Sequence, residues 1–215
     1  MLLQPNQRTK LDGTDDALFY DVPRFVTHID EGFIQQLTDL YRERLKPGTR
    51  IFDMMSSWVS HLPDEMEFEH VEGHGMNVEE LARNPRLDHY FVQNLNENSV
   101  LPLPDQSFDA VLNTVSIQYL QHPEAVFAEV YRILKPGGIA IASFSNRMFY
   151  QKAIQVWRDA SEPERVELAK SYFKAVPGFS EPEAIARVSS IPSILQMLGI
   201  PGGDPFYAVI AYRQS

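Results

Sequence analysis

The chain has 215 residues, 44% of them hydrophobic, and a formal net charge of −10. That length and composition fit one globular domain with a single core and exclude a disordered chain. The acidic balance opposes nucleic-acid phosphate in bulk, and without cysteine there is neither a disulfide nor a thiolate metal site. No apolar run is long enough for a membrane helix, and Met1-Leu-Leu-Gln-Pro lacks the charged and apolar regions of a signal peptide. The chain therefore reads as a soluble, cytoplasmic protein.

Residues 1–19 are polar, with Gly13 and several acids, and read as a loose arm. Phe19 to Asp30 is dense in aromatic and polar groups. Asp30 suits the N-cap of a helix reaching about Leu45, whose Phe33, Ile34, Leu37, Leu40, Tyr41 and Leu45 recur at helical spacing. Arm and helix form an N-terminal unit, 1–46, of a single domain over 1–215. Pro47-Gly48 stops the helix. Ile51 and Phe52 then open a first buried strand, and Asp53 ends it. The turn that follows, Met54-Met55-Ser56-Ser57, has no glycine, although in open α/β sheets this turn faces the ligand crevice. Asp64, Glu65, Glu67 and Glu69 form a solvated acidic patch.

Phe68 to Gly73 reads as a second strand leading into Gly73-His-Gly-Met-Asn77, with Asn77 capping a short helix from Val78 to Arg83. Tyr90 to Leu95 is a third strand and Phe108 to Thr114 a fourth. Pro123 begins a helix carrying Val126, Phe127, Val130, Ile133 and Leu134 on one face. Lys135-Pro-Gly-Gly138 ends it, and Ile139 to Phe144 is a fifth strand. Strands alternating with helices mean a largely parallel, doubly wound α/β sheet. After residue 146 the alternation lapses. Helices are expected at about 149–160 and 162–175, the second behind a Ser161/Glu164 capping box. Ser180 and Glu183 repeat that pattern, and Pro192 to Leu198 reads as another short helix. The stretch 149–200 is thus a helical insertion over the strand ends. Phe206 to Tyr212 is a final strand.

Leu103-Pro-Asp-Gln-Ser-Phe-Asp-Ala-Val111, followed by Pro123 and Glu129-Val-Tyr-Arg-Ile-Leu-Lys-Pro-Gly-Gly138, resembles the core of the class I S-adenosylmethionine-dependent methyltransferases, type 11 group. The resemblance covers roughly 48–145 and extends to the last strand. It implies a Rossmann-like, seven-stranded sheet whose last strand is antiparallel, and S-adenosylmethionine as cofactor. SSWVSHLP, GHGMN and SFSNRMF are similar to a divergent branch of the group.

The resemblance also places the site. Asp53 matches the acid of the first motif, while Met54, Met55, Ser56 and Ser57 stand where the family has glycines. A helix starting after them would offer N–H donors to the methionyl carboxylate. The acid that takes the ribose hydroxyls aligns with Gly75, beside Met76 and Asn77; Asn77 or Glu72 is left to replace it. Asn94 stands where the family has the adenine-binding Asp, and its carbonyl can accept the same bond. Leu95 would pack on the ring. Asn113, Thr114, Gln118 and Tyr119, after the fourth strand, would lie under the sulfonium. Tyr20, Arg24, His28, Asn146 and Arg147 complete a polar substrate side. Arg147 is the expected anion anchor, with Arg24 closing a clamp.

Other patterns carry less. Tyr131 and Lys135 form the Y-x-x-x-K of short-chain dehydrogenases without its glycine-rich turn. His61, His70 and His74 do not have metal-site spacing, and no metal is expected. Two readings remain: a methyltransferase for a small molecule, and a binding or regulatory protein on the same fold that no longer uses cofactor. No catalytic base is assigned and no oligomeric state follows.

Overall fold

The computed structural model describes residues 2–187 and 203–214. Its centre is a seven-stranded sheet in the order β3-β2-β1-β4-β5-β7-β6. The strands are β1 (Arg50–Met54), β2 (His70–Gly75), β3 (His89–Val92), β4 (Phe108–Thr114), β5 (Leu134–Phe144), β6 (Glu183–Arg187) and β7 (Phe206–Tyr212). β1 to β5 pair in parallel, and β7 runs antiparallel between β5 and β6. This is the architecture of the class I methyltransferases. The strand order reverses beside β1, between it and β4, and there the sheet presents a crevice to a ligand.

The helices are α1 (Asp16–Tyr20), α2 (Glu31–Arg44), α3 (Val78–Arg83), α4 (Pro123–Ile133), α5 (Gln155–Asp159) and α6 (Glu162–Lys174). α2 starts at its cap, where the Asp30 carboxylate accepts from the Phe33 N–H at 2.8 Å. Phe33, Leu37, Leu40 and Tyr41 then pack on Ile51, Leu112, Ile141 and Phe206, which closes one face of the sheet. Val126, Phe127 and Val130 of α4, with Tyr172 and Phe173 of α6, close the other against Phe52, Phe108 and Phe144. Among the described residues no helix is long and apolar enough to cross a membrane.

Four elements differ from the sequence reading. Lys135-Pro-Gly-Gly138 lies inside β5: the strand begins at Leu134, and the extra residues are taken up by a register shift between the Phe108 and Ala110 pairings. Glu183-Ala-Ile-Ala-Arg187 is a strand and not the start of a capped helix, because β7 offers it an open edge over five paired positions. Within 149–160 only Gln155–Asp159 is helical. The short helix read at Pro192 to Leu198 lies outside the described residues.

The fourth difference is the arm. It is not loose. Leu3 is buried in the core, and a 3-10 turn over Asn6–Arg8 carries Arg8 to Glu124 and to the Gln121 carbonyl. Gln155 and Asp12 add backbone bonds between the arm and residues 151–155. Lys152 is fully buried. Its ammonium donates to the Thr14 carbonyl at 2.9 Å and pairs with Asp12 at 3.1 Å and Asp16 at 3.4 Å. A buried ammonium needs such partners, which explains why this polar segment is held.

We predict that Lys152→Met lowers stability by about 1–3 kcal/mol, because it leaves the Thr14 carbonyl without its donor and Asp16 with Lys10 as its remaining cation. Urea unfolding reads the loss, and limited proteolysis should cut the arm first. An unchanged midpoint with an uncut arm would show that the ammonium does not hold it.

Candidate active site

A cavity of about 170 Å³ opens at the carboxyl ends of β1, β2, β3 and β4. β1 and its turn contribute Asp53, Met55, Ser56 and Ser57; β2 contributes Gly75, Met76 and Asn77. Asn94 and Leu95 follow β3, and Thr114 ends β4. Tyr20, Arg24, His28, Trp58, Tyr119 and Phe149 wall the remainder. The indole N–H of Trp58 donates to the Val26 carbonyl, so the segment 24–29 is tied over the β1 loop.

The β1 turn departs from the expectation. No helix follows Ser57; residues 55–69 run as a loop. Met55 takes a left-handed backbone, φ 58°, where glycine would be unstrained. Its N–H donates to His74 Nδ1 at 3.1 Å, and the Ser56 N–H donates to the His74 carbonyl at 2.6 Å. These two donors therefore serve His74, whereas a glycine turn would aim such groups at a ligand. The geometry also fixes the imidazole. Nδ1 accepts and must be bare, so Nε2 carries the proton and donates to the Gln93 carbonyl at 2.9 Å. Burial pushes the His74 pKa down to about 4, which keeps the ring neutral. His74 is a bolt through the ends of β1, β2 and β3, and not merely a polar turn residue.

Gly75 has a steric cause. A Cβ on it would lie 2.6 Å from the Ser56 carbonyl oxygen. The glycine-poor turn thus occupies the space that an acid at this position would need. Neither expected replacement reaches the cavity with a free group. Asn77 accepts from the Glu79 and Glu80 N–H groups and donates to the Tyr20 and Asp21 carbonyls. Glu72 is buried between His70 and His89, at 2.9 and 2.6 Å. A carboxylate from α3 does line the cavity: Glu80, in the first turn of that helix. It accepts from the Ser57 hydroxyl at 2.6 Å and from the Arg24 N–H at 2.7 Å. In sequence it reads as an ordinary first-turn acid, and only the fold of residues 20–26 over α3 reveals it.

Asp53 is buried at the cavity floor. Burial, set against a bond from the Ser56 hydroxyl, lifts its pKa to about 6. Asn94 accepts from the Asn96 N–H and donates to Glu97, which leaves one lone pair on its carbonyl. Ser116 Oγ, on the cavity wall, is buried without a partner. His61 also lines the cavity, and burial lowers its pKa to about 4. Among the described residues Met55, His61, Val115 and Gln106 are the non-glycine residues at positive φ, and the first three line this cavity. Such strain persists where the surrounding structure over-determines it, and it gathers at ligand sites.

Other expected residues fall elsewhere. Met54 is in the core, pointing away from the crevice side of its strand. Asn113 is buried, and its amide donates to the Met54 carbonyl. Gln118 is buried and donates to the Val115 carbonyl. Both belong to the strand-end packing. Asn146 and Arg147 line a shallower recess next to the cavity, shared with His28 and Tyr119. Arg147 spends its Nε on Asp204 at 2.6 Å, and Asp204 in turn holds the Asp30 N–H at the start of α2. Arg147 is therefore an ion pair that locks α2, and Arg24 does not meet it in a clamp. His61 and His74 reach the cavity while His70 is turned to Glu72, so these three do not converge.

Comparison with known proteins bears on this site. A methyltransferase-domain family matches residues 70–142, the span from β2 to β5. That span is about a third of the chain and holds three of the strands whose ends form the cavity. A probable S-adenosylmethionine-dependent methyltransferase of Mycolicibacterium smegmatis is 41% identical over 69 residues, 32% of this chain and 25% of that protein. The chain thus spans about a quarter of that curated relative. Phosphoethanolamine N-methyltransferase 2 of Haemonchus contortus, solved with S-adenosylmethionine, shares the fold of the methyltransferase domain at a TM-score of 0.57 and 18% identity, over 84% of this chain and 52% of that one. The [4+2]-cyclase SpnF shares it at 0.58 and 17%, over 83% and 81%.

Gly75→Ala should destabilise the domain by about 1–3 kcal/mol, since the opposing atom is backbone and has to move. The shift would reach Ser56 and loosen any ligand on the β1 turn. Denaturant unfolding and ligand calorimetry measure the two effects; a stable variant would show that the turn yields freely.

Proposed function

We propose that the protein is an S-adenosylmethionine-dependent methyltransferase acting on a small molecule. The observation that carries this is the cavity itself. It lies at the switch point of a methyltransferase sheet and is lined by Asp53, Glu80, Asn94 and the unpartnered Ser116 hydroxyl. That donor set fits the cofactor. Asn94 would accept from the adenine amino group, beside Leu95. Glu80 would take the ribose hydroxyls in place of the absent β2 acid, since a carboxylate has lone pairs beyond the two it already uses. Asp53 would face the methionyl ammonium. When bound, the cofactor supplies an electrophilic methyl group on a sulfonium. The chain's own part is then to orient the acceptor and exclude water, which Tyr20, Trp58, Tyr119 and Phe149 would do from the walls. Such chemistry requires no strong base.

A second reading is motivated by the β1 turn. Its first two N–H groups already serve His74, so a binding or regulatory protein without cofactor use fits that one feature. Calorimetry with S-adenosylmethionine and S-adenosylhomocysteine separates the two. Micromolar binding, weakened by about 1 kcal/mol or more in Asn94→Ala, is expected for the methyltransferase. Absence of heat with both ligands in the folded protein would favour the second.

Asp53 supplies a pH signature. Its carboxyl is mostly protonated below about 6, and the ionised form is the one that attracts an ammonium. Affinity should therefore rise with pH, by about tenfold between pH ~5 and ~7, while the ligand's ammonium stays charged. Asp53→Asn should bind more weakly and lose the slope. A slope that survives in Asp53→Asn would assign it to another group.

A further inference from the structure

The cavity walls hold a charge without a counter-ion. Among the described residues lining the cavity, Arg24 is the one permanent cation. Its guanidinium stands 4.6 Å from the ring centroid of Phe19, 5.5 Å from Phe149 and 5.9 Å from Tyr20. Nη2 donates to the Phe19 carbonyl at 2.8 Å. Nη1 is buried with no acceptor. Among the described residues no carboxylate pairs with this side chain, although Arg147 nearby has Asp204 and Arg8 has Glu124. Glu80 approaches Arg24 only at its backbone N–H. A buried N–H donor on a half-buried guanidinium is costly to leave unused, and an anion would complete it.

We propose that the substrate is a flat, apolar monocarboxylate whose carboxylate is bound by Arg24. This rests on the reading of the cavity as an active site. The planar fork of a guanidinium matches a carboxylate in two-point contact. The rings beside it describe the rest of the molecule. Phe149 meets His28 edge-on at 5.0 Å and Tyr119 in a stacked pair at 6.0 Å, so the walls offer aromatic faces and edges. Such walls favour a planar body. Charge decides between a carboxylate and a phosphate. Asp16, Asp53 and Glu80 line the same cavity, and they repel a dianion more strongly than a monoanion. One positive group can balance one negative charge, not two.

The test is calorimetry with benzoate and benzamide, equal in shape and different in charge, on the full chain saturated with S-adenosylhomocysteine. The wild type should prefer benzoate by about tenfold or more, the scale of one charge-assisted hydrogen bond. Arg24→Gln should abolish the preference, and Arg24→Lys should keep part of it. Equal weakening of both ligands in Arg24→Gln would give Arg24 a structural role only and overturn the proposal. Tighter binding of phenyl phosphate than of benzoate would overturn it as well. Titration of S-adenosylhomocysteine alone separates the two readings. If it binds and benzoate shows no preference, this inference fails by itself. If it does not bind while the benzoate preference persists in the unloaded protein, the carboxylate site stands and the methyltransferase reading fails.

Discussion

One neutral imidazole organises the ligand side of this sheet. His74 takes the Met55 N–H on Nδ1, gives its Nε2 proton to the Gln93 carbonyl, and accepts the Ser56 N–H on its own carbonyl. The ends of three adjacent parallel strands are therefore joined through one residue. The arrangement works only with a bare Nδ1, so it depends on burial that disfavours the charged ring. Everything nearby follows from it. Ser56 is drawn toward β2, its carbonyl crowds Gly75, and a side chain there is excluded. The glycine-poor first turn and the bare position at Gly75 thus share one steric cause. The left-handed Met55 is the strain that the arrangement tolerates.

The same network moves the polar chemistry of the site outward. Where a glycine turn would present backbone N–H groups, this cavity presents side chains: Asp53 on its floor, Glu80 from α3, Asn94 beyond β3, Arg24 from the segment folded over the top. Segment and helix are coupled, since Glu80 holds Arg24 by its backbone and Ser57 by its hydroxyl. Access to the cavity is consequently set by how residues 20–29 sit, and Trp58 and Asn77 fix that segment from below.

Much of the fold was legible because it depends on local pattern. Buried strands alternating with amphipathic helices, the Asp30 and Asn77 caps, and the last strand were all visible as periodicity and end signals. The misreadings share a cause. Glu183-Ala-Ile-Ala-Arg187 has helical composition, and the free edge of β7 overrides it. The polar arm has no apolar stripe, and distant Lys152 and Glu124 hold it. The lining of the cavity was legible where fold position alone places a residue, as with Asp53, Gly75, Asn94 and Thr114. It was not legible where side-chain direction decides. Met54 alternates into the core, Asn113 and Gln118 turn inward, and Arg147 has Asp204 for a partner. Glu80 and His61 carry no signal in their spacing, because long-range contacts bring them to the cavity.

The buried ammonium of Lys152 also dictates an order of events. It meets Thr14 across 138 positions of chain, while the strand pairs that form the crevice are nearer in sequence. Closing so wide a loop gains nothing until the sheet that bridges it exists. On a ribosome, residues 8–16 emerge long before their partners at 124 and 152, and their charges stay in water meanwhile. A polar arm is well suited to that wait: it exposes little apolar surface to other chains. Residues 8–16 are thus among the last to be seated, and seating them completes the wall of the cavity through Asp16.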